Sequence, residues 1–380
     1  MNREITYQAA LAVAETIETH FVQHLREARA RGEKGLAPEP HAKVIAAMID
    51  TAFWASLRKE EGHSPKISLA FLPPEKAQRP LVFEQRLPLS SFILTKLAPG
   101  VERAGIHLGV WYEGENLYIW GTMHEITNFC FVLDVSEPGL LVIKHRRLGG
   151  FGKFNNVAVL KGDQVKVVDE TSASLPDCPA VLSSLLGFAA ASSWNDSVNV
   201  LVQMAVSMRA HGRGGTLLVV PSGKEDWRGS IMHPIQYAIA PAFSELADLM
   251  RQDVSVRSRS KWQTALVQAI DNIAGLTAID GATVITDQYE LLAFGAKIVR
   301  ATDSAQVEEM TFTEPVIGGE AMVVSPSQSG GTRHLSAAQF VYDQQDALAL
   351  VASQDGRFTI FSWSPCENRV HAHRVDALLL

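Results

Sequence analysis

The chain has 380 residues, 47% of them hydrophobic and 20% charged, with a formal net charge of -7. At about 150 residues per domain, that length predicts two domains or three rather than a single core. The acidic balance excludes a global basic field for nucleic acid or anionic lipid, and leaves room only for a local basic pocket.

The first ~30 residues predict a helix, because Ala9, Ala10, Ala12, Val13, Ile17, Phe21 and Leu25 recur with a period near 3.6. The same stretch carries acidic residues and no apolar h-region, so it is not read as a signal peptide. "EKGLAPEP" breaks the helix with Gly and Pro, and a second helix follows over about Ala42–Lys59, with Val44, Ile45, Met48, Ile49 and Phe53 on one side. From about Pro65 the pattern changes to strands. "KISLAFL", "IHLGVWYEGENLYIWG", "CFVLDV", "GLLVIKH" and "VAVLKGDQVKVVD" are rich in β-branched and aromatic residues, and two of them contain hairpin turns. This helix-plus-β module is expected over residues 1–170. "TSASLPDCPA" reads as a linker within 171–184.

Beyond it, helices and apolar strands interleave. "DSVNVLVQMAVSMRAHG", "PAFSELADLMRQ" and "KWQTALVQAIDNIAGL" read as helices, and "GTLLVVP", "GATVIT" and "ELLAFGAKI" as strands. "HLSAAQFVYD" opens a further helix, and "ALALVAS" with "RFTIFSW" closes the chain with two more strands. The expected class is α/β (α+β): a mixed-sheet domain with flanking helices over 185–380, behind the N-terminal module. No run approaches the roughly 20 apolar residues of a membrane span. The three cysteines (Cys130, Cys178 and Cys366) lack CxxC spacing and support neither a zinc site nor a disulfide framework. A cytoplasmic protein is the expectation.

Several stretches invite a chemical reading. "RRLGGFGKF" and "PSGKEDW" look like phosphate loops but fit neither GxxxxGK[ST] nor GxGxxG, and read as strand connections. "HAHR" (371–374), His107, His124 and His145 lack paired-ligand spacing, and Trp111 and Trp120 read as cross-strand residues. "AIDGATVI" says more. A carboxylate, Asp280, sits on a helix-to-strand turn beside Gly281 and Ala282, where it can hold a divalent metal, accept a hydroxyl proton or simply close the turn. "SGGTRHLSAAQF" supplies the complementary chemistry. Gly330 and Gly331 expose backbone N–H groups, Thr332 adds a hydroxyl, and Arg333 and His334 add a guanidinium fork and a second donor. Alone, that stretch also suits a polar turn capping a helix.

Together, and in this order, these segments resemble the diadenylate cyclase (DAC, DisA-N-like) domain family. Its Asp-Gly-Ala, Gly-Thr-Arg-His-Arg and Ser-Glu-Glu-Gly motifs correspond to Asp280-Gly281-Ala282, Gly331-Thr332-Arg333-His334-Leu335 and Ser353-Gln354-Asp355-Gly356. "GRGGTLLVVP" and "ELLAFGAKI" match two of its strands, so the likeness covers roughly residues 185–365. The resemblance implies condensation of two ATP molecules into cyclic di-AMP with release of pyrophosphate, in a homo-oligomer whose sites face each other. It implies Asp280, Arg333 and His334 as catalytic residues, with Asp280 binding Mg²⁺ or Mn²⁺. Gly281, Ala282, Gly331, Thr332, Ser336 and Ser353 would bind the nucleotide. No nucleic-acid or membrane partner is implied. Leu335 and Gln354 depart from the family pattern, which leaves a catalytically degenerate nucleotide-binding sensor as the alternative. The stretch between Asp280 and Thr332 is longer than in the family and reads as an inserted loop or hairpin that covers the pocket or forms a subunit contact. "GVWYEGENLYIWG" and the strands after it resemble the modules found ahead of some bacterial DAC domains, which implies a regulatory or ligand-sensing N-terminal domain.

Overall fold

A computed structural model describes residues 5–103, 105–114, 116–146, 154–170, 177, 179, 182, 196–257 and 260–380. Among the described residues 33% are helix and 34% strand, and the two sheets are both mixed, which makes this an α+β protein. It divides into a unit of residues 1–168 with Leu380, and a unit of residues 169–379. Cys178, most of the expected linker and most of "RRLGGFGKF" lie outside the described residues.

The N-terminal unit opens with α1 (Gln8–Ala30) and α2 (Ala42–Ser56). The α1 residues Ala10, Val13, Ala14, Ile17, Phe21, Leu25 and Ala28 are buried, as the 3.6 period requires. Tyr7 caps α1 without using its own side chain. Asp50 of α2 does that work: Oδ1 accepts from the backbone N–H groups of Thr6 (2.9 Å) and Tyr7 (2.8 Å) at the helix start. The eight strands are β1 (Ile67–Phe71), β2 (Leu81–Pro88), β3 (His107–Glu113), β4 (Asn116–Met123), β5 (Phe131–Glu137), β6 (Leu140–Arg146), β7 (Phe154–Lys161) and β8 (Gln164–Val167). They run β2-β4-β3-β1-β5-β6-β7-β8, with only β1 and β3 parallel. Alternate residues Ile67, Leu69, Leu133, Val135, Leu141 and Ile143 share one core with α1 and α2, while Ala70, Leu72, Trp120, Cys130 and Val132 form a second cluster.

Two elements of this unit escape the hydrophobic pattern. Strand β2 is an edge strand with Leu81 and Val82 exposed, so no period-2 signal marks it. Helix α3 (Ser91–Val101) starts at Ser90, whose hydroxyl accepts from the Ile93 N–H at 3.3 Å.

The C-terminal unit carries α4 (Asp196–Ala210), β9 (Gly215–Val220), β10 (Tyr237–Phe243), α5 (Glu245–Met250), α6 (Ser260–Leu276), β11 (Ala282–Thr286) and β12 (Leu291–Ala296). After these come β13 (Met310–Thr313), β14 (Met322–Val324), α7 (Thr332–Asp343), β15 (Leu348–Ala352), β16 (Phe358–Ser364) and β17 (Arg369–Arg374). The sheet order is β10-β12-β11-β9-β15-β16-β17-β13-β14. All six residues of β9 are buried, as befits a central strand. Leu218, Val220, Val284, Ala349, Val351 and Phe361 pack with Ala337, Ala338, Phe340 and Val341 of α7.

Two expectations need correction, and a third feature is as expected. Pro241–Phe243 belong to β10, not to a helix. A proline fits there because β10 is an edge strand paired only with β12. The chain does not close with two strands after α7, since "HAHR" lies in a third, β17, paired antiparallel with β16. The stretch between Asp280 and Thr332 contains a hairpin, β13–β14, which extends the sheet from β17 at the edge opposite β10.

His373 on β17 is buried, with Nδ1 2.7 Å from the Thr313 hydroxyl. Burial, and secondarily His371, pushes its pKa from 6.5 to about 3. The unfolded chain therefore takes up this proton near pH 6.5 and the folded chain only near pH 3, so acid favours unfolding across that interval. Stability should be full above that window and fall as pH drops through it. Denaturant melts between about pH 6.5 and 5, above most carboxylate titrations, should show the decline. His373→Gln, which keeps a polar partner for Thr313, should reduce the slope; an unchanged slope would place the titration elsewhere.

Candidate functional site

A cavity of about 560 Å³ opens at one end of the C-terminal sheet. Its floor is a row of register partners on four adjacent strands: Ala296 of β12, Ala282 of β11, Thr216 of β9 and Val351 of β15. Small side chains in that row leave the volume above them open. The Asp280–Gly281 turn stands on one side, and the first turn of α7 faces the row.

Asp280 is held there by a backbone contact that only glycine permits. Gly281 has φ +103°, and a Cβ on it would lie 2.5 Å from the carbonyl carbon of Gly295. Gly295 in turn has φ +60°, and its own Cβ would lie 2.8 Å from the Tyr237 ring. That ring stacks on Phe294 at 4.8 Å. The Asp280 carboxylate is exposed, and it is the one carboxylate lining the cavity among the described residues.

Gly331 is the N-cap of α7 and offers no side-chain acceptor, so the first N–H groups of this twelve-residue helix are left for solvent or an anion. Arg333 is half-buried and its guanidinium passes close to Gly214, where a Cβ would approach Nη1 to 3.0 Å. Gly214 (φ +70°) thus makes room for the arginine. His334 is buried, with Nε2 3.2 Å from the Thr359 hydroxyl and its ring edge-on to Phe361. Burial first, then the Arg374 cation, lowers its pKa from 6.5, against a smaller opposing pull from Asp355. The imidazole is therefore neutral at pH 7. Cationic attraction in the cavity comes from Arg333 and Lys297 rather than from His334. On the β15–β16 turn, Ser353 donates to the Asp355 carboxylate, which is the largest cause of that group's lowered pKa.

All nine residues singled out from the sequence line this single cavity: Asp280, Gly281, Ala282, Gly331, Thr332, Arg333, His334, Ser336 and Ser353. The two departures from the family motifs do not. Leu335 is half-buried on α7 outside the lining, and Gln354 is exposed, with Nε2 donating to the Arg213 carbonyl at 3.3 Å. No lining residue comes from the inserted stretch 299–329. Sequence reasoning missed Thr216 and Lys297. Lys297 follows directly on the apolar run of β12, and a lone cation at a strand end was the available signal.

"PSGKEDW" lies at the opposite end of β9, where Lys224 is paired with Asp346 and the Ser222 hydroxyl donates to Asp287 at 2.6 Å. It is a strand connection. His107 is likewise engaged within the N-terminal unit, with Nδ1 2.6 Å from the Ser68 hydroxyl.

Residues 34–124, inside the N-terminal unit, match the family model described as "Probable sensor domain DACNV". That segment spans α2 to β4, so a probable sensor domain occupies this part of the chain. No curated protein matches. Among solved structures, the chain is similar to a hypothetical membrane spanning protein from Bacillus cereus, a structural-genomics target, at 16% identity and a TM-score of 0.27. The match covers 48% of this chain and 66% of that one, just under two thirds of its length. So low a score supports no argument about fold or function. Among the described residues, no helix is long and apolar enough to cross a membrane.

The glycine contact predicts a specific sensitivity. Gly281→Ala should cost about 1–3 kcal/mol from the positive φ alone, and the clash with Gly295 adds to it. Thermal melting should show a Tm lowered by at least several degrees; an unchanged Tm would mean that the turn relaxes without cost.

Proposed function

We propose that the C-terminal unit is a diadenylate cyclase, condensing two ATP molecules into cyclic di-AMP and two pyrophosphates under the control of the N-terminal sensor domain. One observation carries this reading: three motifs far apart in the chain, chosen for their order and chemistry, converge on one cavity. Its volume suits a nucleotide, and its polar groups are divided as phosphoryl transfer requires.

The residues fit a divalent cation. A single carboxylate in a cavity that also presents cationic and N–H donors matches the way Mg²⁺ or Mn²⁺ is held by one or two carboxylates plus substrate phosphates. Asp280 would hold it, and the ion would supply neutralisation of charge on the reacting phosphates. Arg333, Lys297 and the N–H groups at the start of α7 draw the triphosphate, with the Thr332 and Ser336 hydroxyls as further donors. The floor of Ala296, Ala282, Thr216 and Val351 admits the nucleoside against backbone. Asp280 accepts the proton of the 3'-hydroxyl as that oxygen attacks the α-phosphate of the opposite ATP and the P–O bond to pyrophosphate breaks. Because one cavity presents one ATP, the reaction needs two copies of the chain. Neutral His334 shapes the phosphate wall and fixes the first turn of α7 through Thr359.

The alternative is a site that binds nucleotide without turnover, motivated by Leu335 and Gln354. Their positions outside the cavity lining weigh against it.

Incubation of the full chain with ATP and Mn²⁺ or Mg²⁺ should yield cyclic di-AMP by mass spectrometry, and Asp280→Asn should abolish the product. Arg333→Ala should weaken ATP binding by about 1.5–3 kcal/mol, roughly ten-fold or more, in calorimetry. Binding without product, unchanged by Leu335→Arg and Gln354→Glu together, would establish the sensor alternative. Neither binding nor product would overturn both.

A further inference from the structure

The floor of the cavity carries one side-chain hydroxyl to which the structure assigns no role so far. Thr216 stands third in the row Ala296, Ala282, Thr216 and Val351, between apolar register partners on β11 and β15. It is 4% exposed and shares its face of β9 with Leu218, which packs with α7. Its side chain therefore points to the α7 side of the sheet, where the cavity lies. Among the described residues, no hydrogen bond reaches the Thr216 hydroxyl.

Other buried threonines of this unit are engaged. Thr277 donates to the Ala274 carbonyl and Thr311 to Glu367, both at 2.6 Å. The hydroxyls of Thr313 and Thr359 meet His373 at 2.7 Å and His334 at 3.2 Å. Thr283 also lacks a partner, but its oxygen is sealed in the interior and lines no part of the cavity. A buried hydroxyl without a partner is destabilising, and valine would fill the same volume without that cost. At Thr216 the unpaired group opens onto a cavity, where a ligand can supply the missing partner.

Position along the strands says which part of a ligand it meets. Arg333 reaches Gly214, two residues before Thr216, and Asp280 is two residues before Ala282, the register partner of Thr216. Both charged groups are thus seated about 7 Å from the Thr216 row at the rise of a strand. Phosphates and a cation held there put the sugar next and the base over the floor. Ala296, Ala282 and Val351 offer a flat ring an apolar strip, and the Thr216 hydroxyl is the one polar side-chain group in that row. We propose that this hydroxyl hydrogen-bonds a heteroatom of the nucleobase. Thr216 is then the specificity-determining residue of the floor, favouring a ring edged with nitrogen or oxygen over an apolar one. The inference rests on the nucleotide reading of the cavity.

The test is calorimetry on the full chain with Mg²⁺ and the non-reacting α,β-methylene analogue of ATP. Thr216→Val keeps the shape and removes the hydroxyl, and should bind the analogue about three- to ten-fold more weakly. Thr216→Ser should recover the wild-type affinity. The same loss should appear with the 2'-deoxy and 3'-deoxy forms of the analogue. It should vanish with tripolyphosphate, which has neither sugar nor base. Circular dichroism checks the fold, and Thr216→Ala, which also lacks the hydroxyl, gives the readout should Thr216→Val not fold. Equal affinity in wild type and the variant lacking the hydroxyl would overturn this inference and leave the nucleotide reading standing. So would a Thr216→Ser as weak as Thr216→Val, a loss that disappears with either deoxy form, or one that persists with tripolyphosphate. No binding of the analogue by the wild type would overturn the reading and the inference together.

Discussion

The approach of Gly281 to Gly295 is the constraint on which the cavity depends. Two backbone segments meet there with no Cβ between them, and the left-handed φ at Gly281 turns the chain directly from α6 into β11. The contact ties the Asp280 turn to the end of β12, where Ala296 and the two residues that follow the strand, Lys297 and Ile298, line the cavity. A side chain at either glycine would push the turn outward and carry the carboxylate with it. The small residues of the floor matter for the same reason. Larger ones at Ala282 or Ala296 would fill the space that a ligand needs.

The cavity carries both signs of charge. Asp280 precedes β11, and Arg333 reaches Gly214, just before the neighbouring strand β9, from the uncapped first turn of α7. The low dielectric of the walls strengthens the contacts of either charge with a ligand. His334 takes no part as a charge. Its imidazole, enclosed between Gly330, Thr359 and Phe361, is a shaped polar wall, and Gly330 has no side chain because the ring occupies that space: a Cβ there would lie 2.5 Å from Cγ of His334.

The motifs were legible because each sets glycine beside charge at the start of an element. Gly281 before β11 and Gly330 before α7 sit where a Cβ would clash, and Asp280 and Arg333 stand close by in sequence. The buried runs of β9, β11 and β15 were equally plain. What escaped did so for identifiable reasons. Strand β2 exposes Leu81 and Val82 at a sheet edge, and β10 contains Pro241, so neither shows a buried period. In β17, His371 and His373 are buried, which reverses the usual assignment of histidine to the surface.

The inserted hairpin changes what encloses the cavity. Strands β9, β15, β16 and β17 separate β11 from β13, which at about 4.8 Å per strand places the hairpin on the order of 24 Å from the Asp280 turn. An element that far along the sheet cannot roof the site within one chain, and none of its residues lines the cavity. Its effect on the unit is to cover β17, where the buried pair His371 and His373 would otherwise meet solvent at a free edge. Length between the motifs, which in the sequence suggests a lid, here lengthens the sheet and leaves the mouth of the cavity to the β11 turn, the β12 wall and α7.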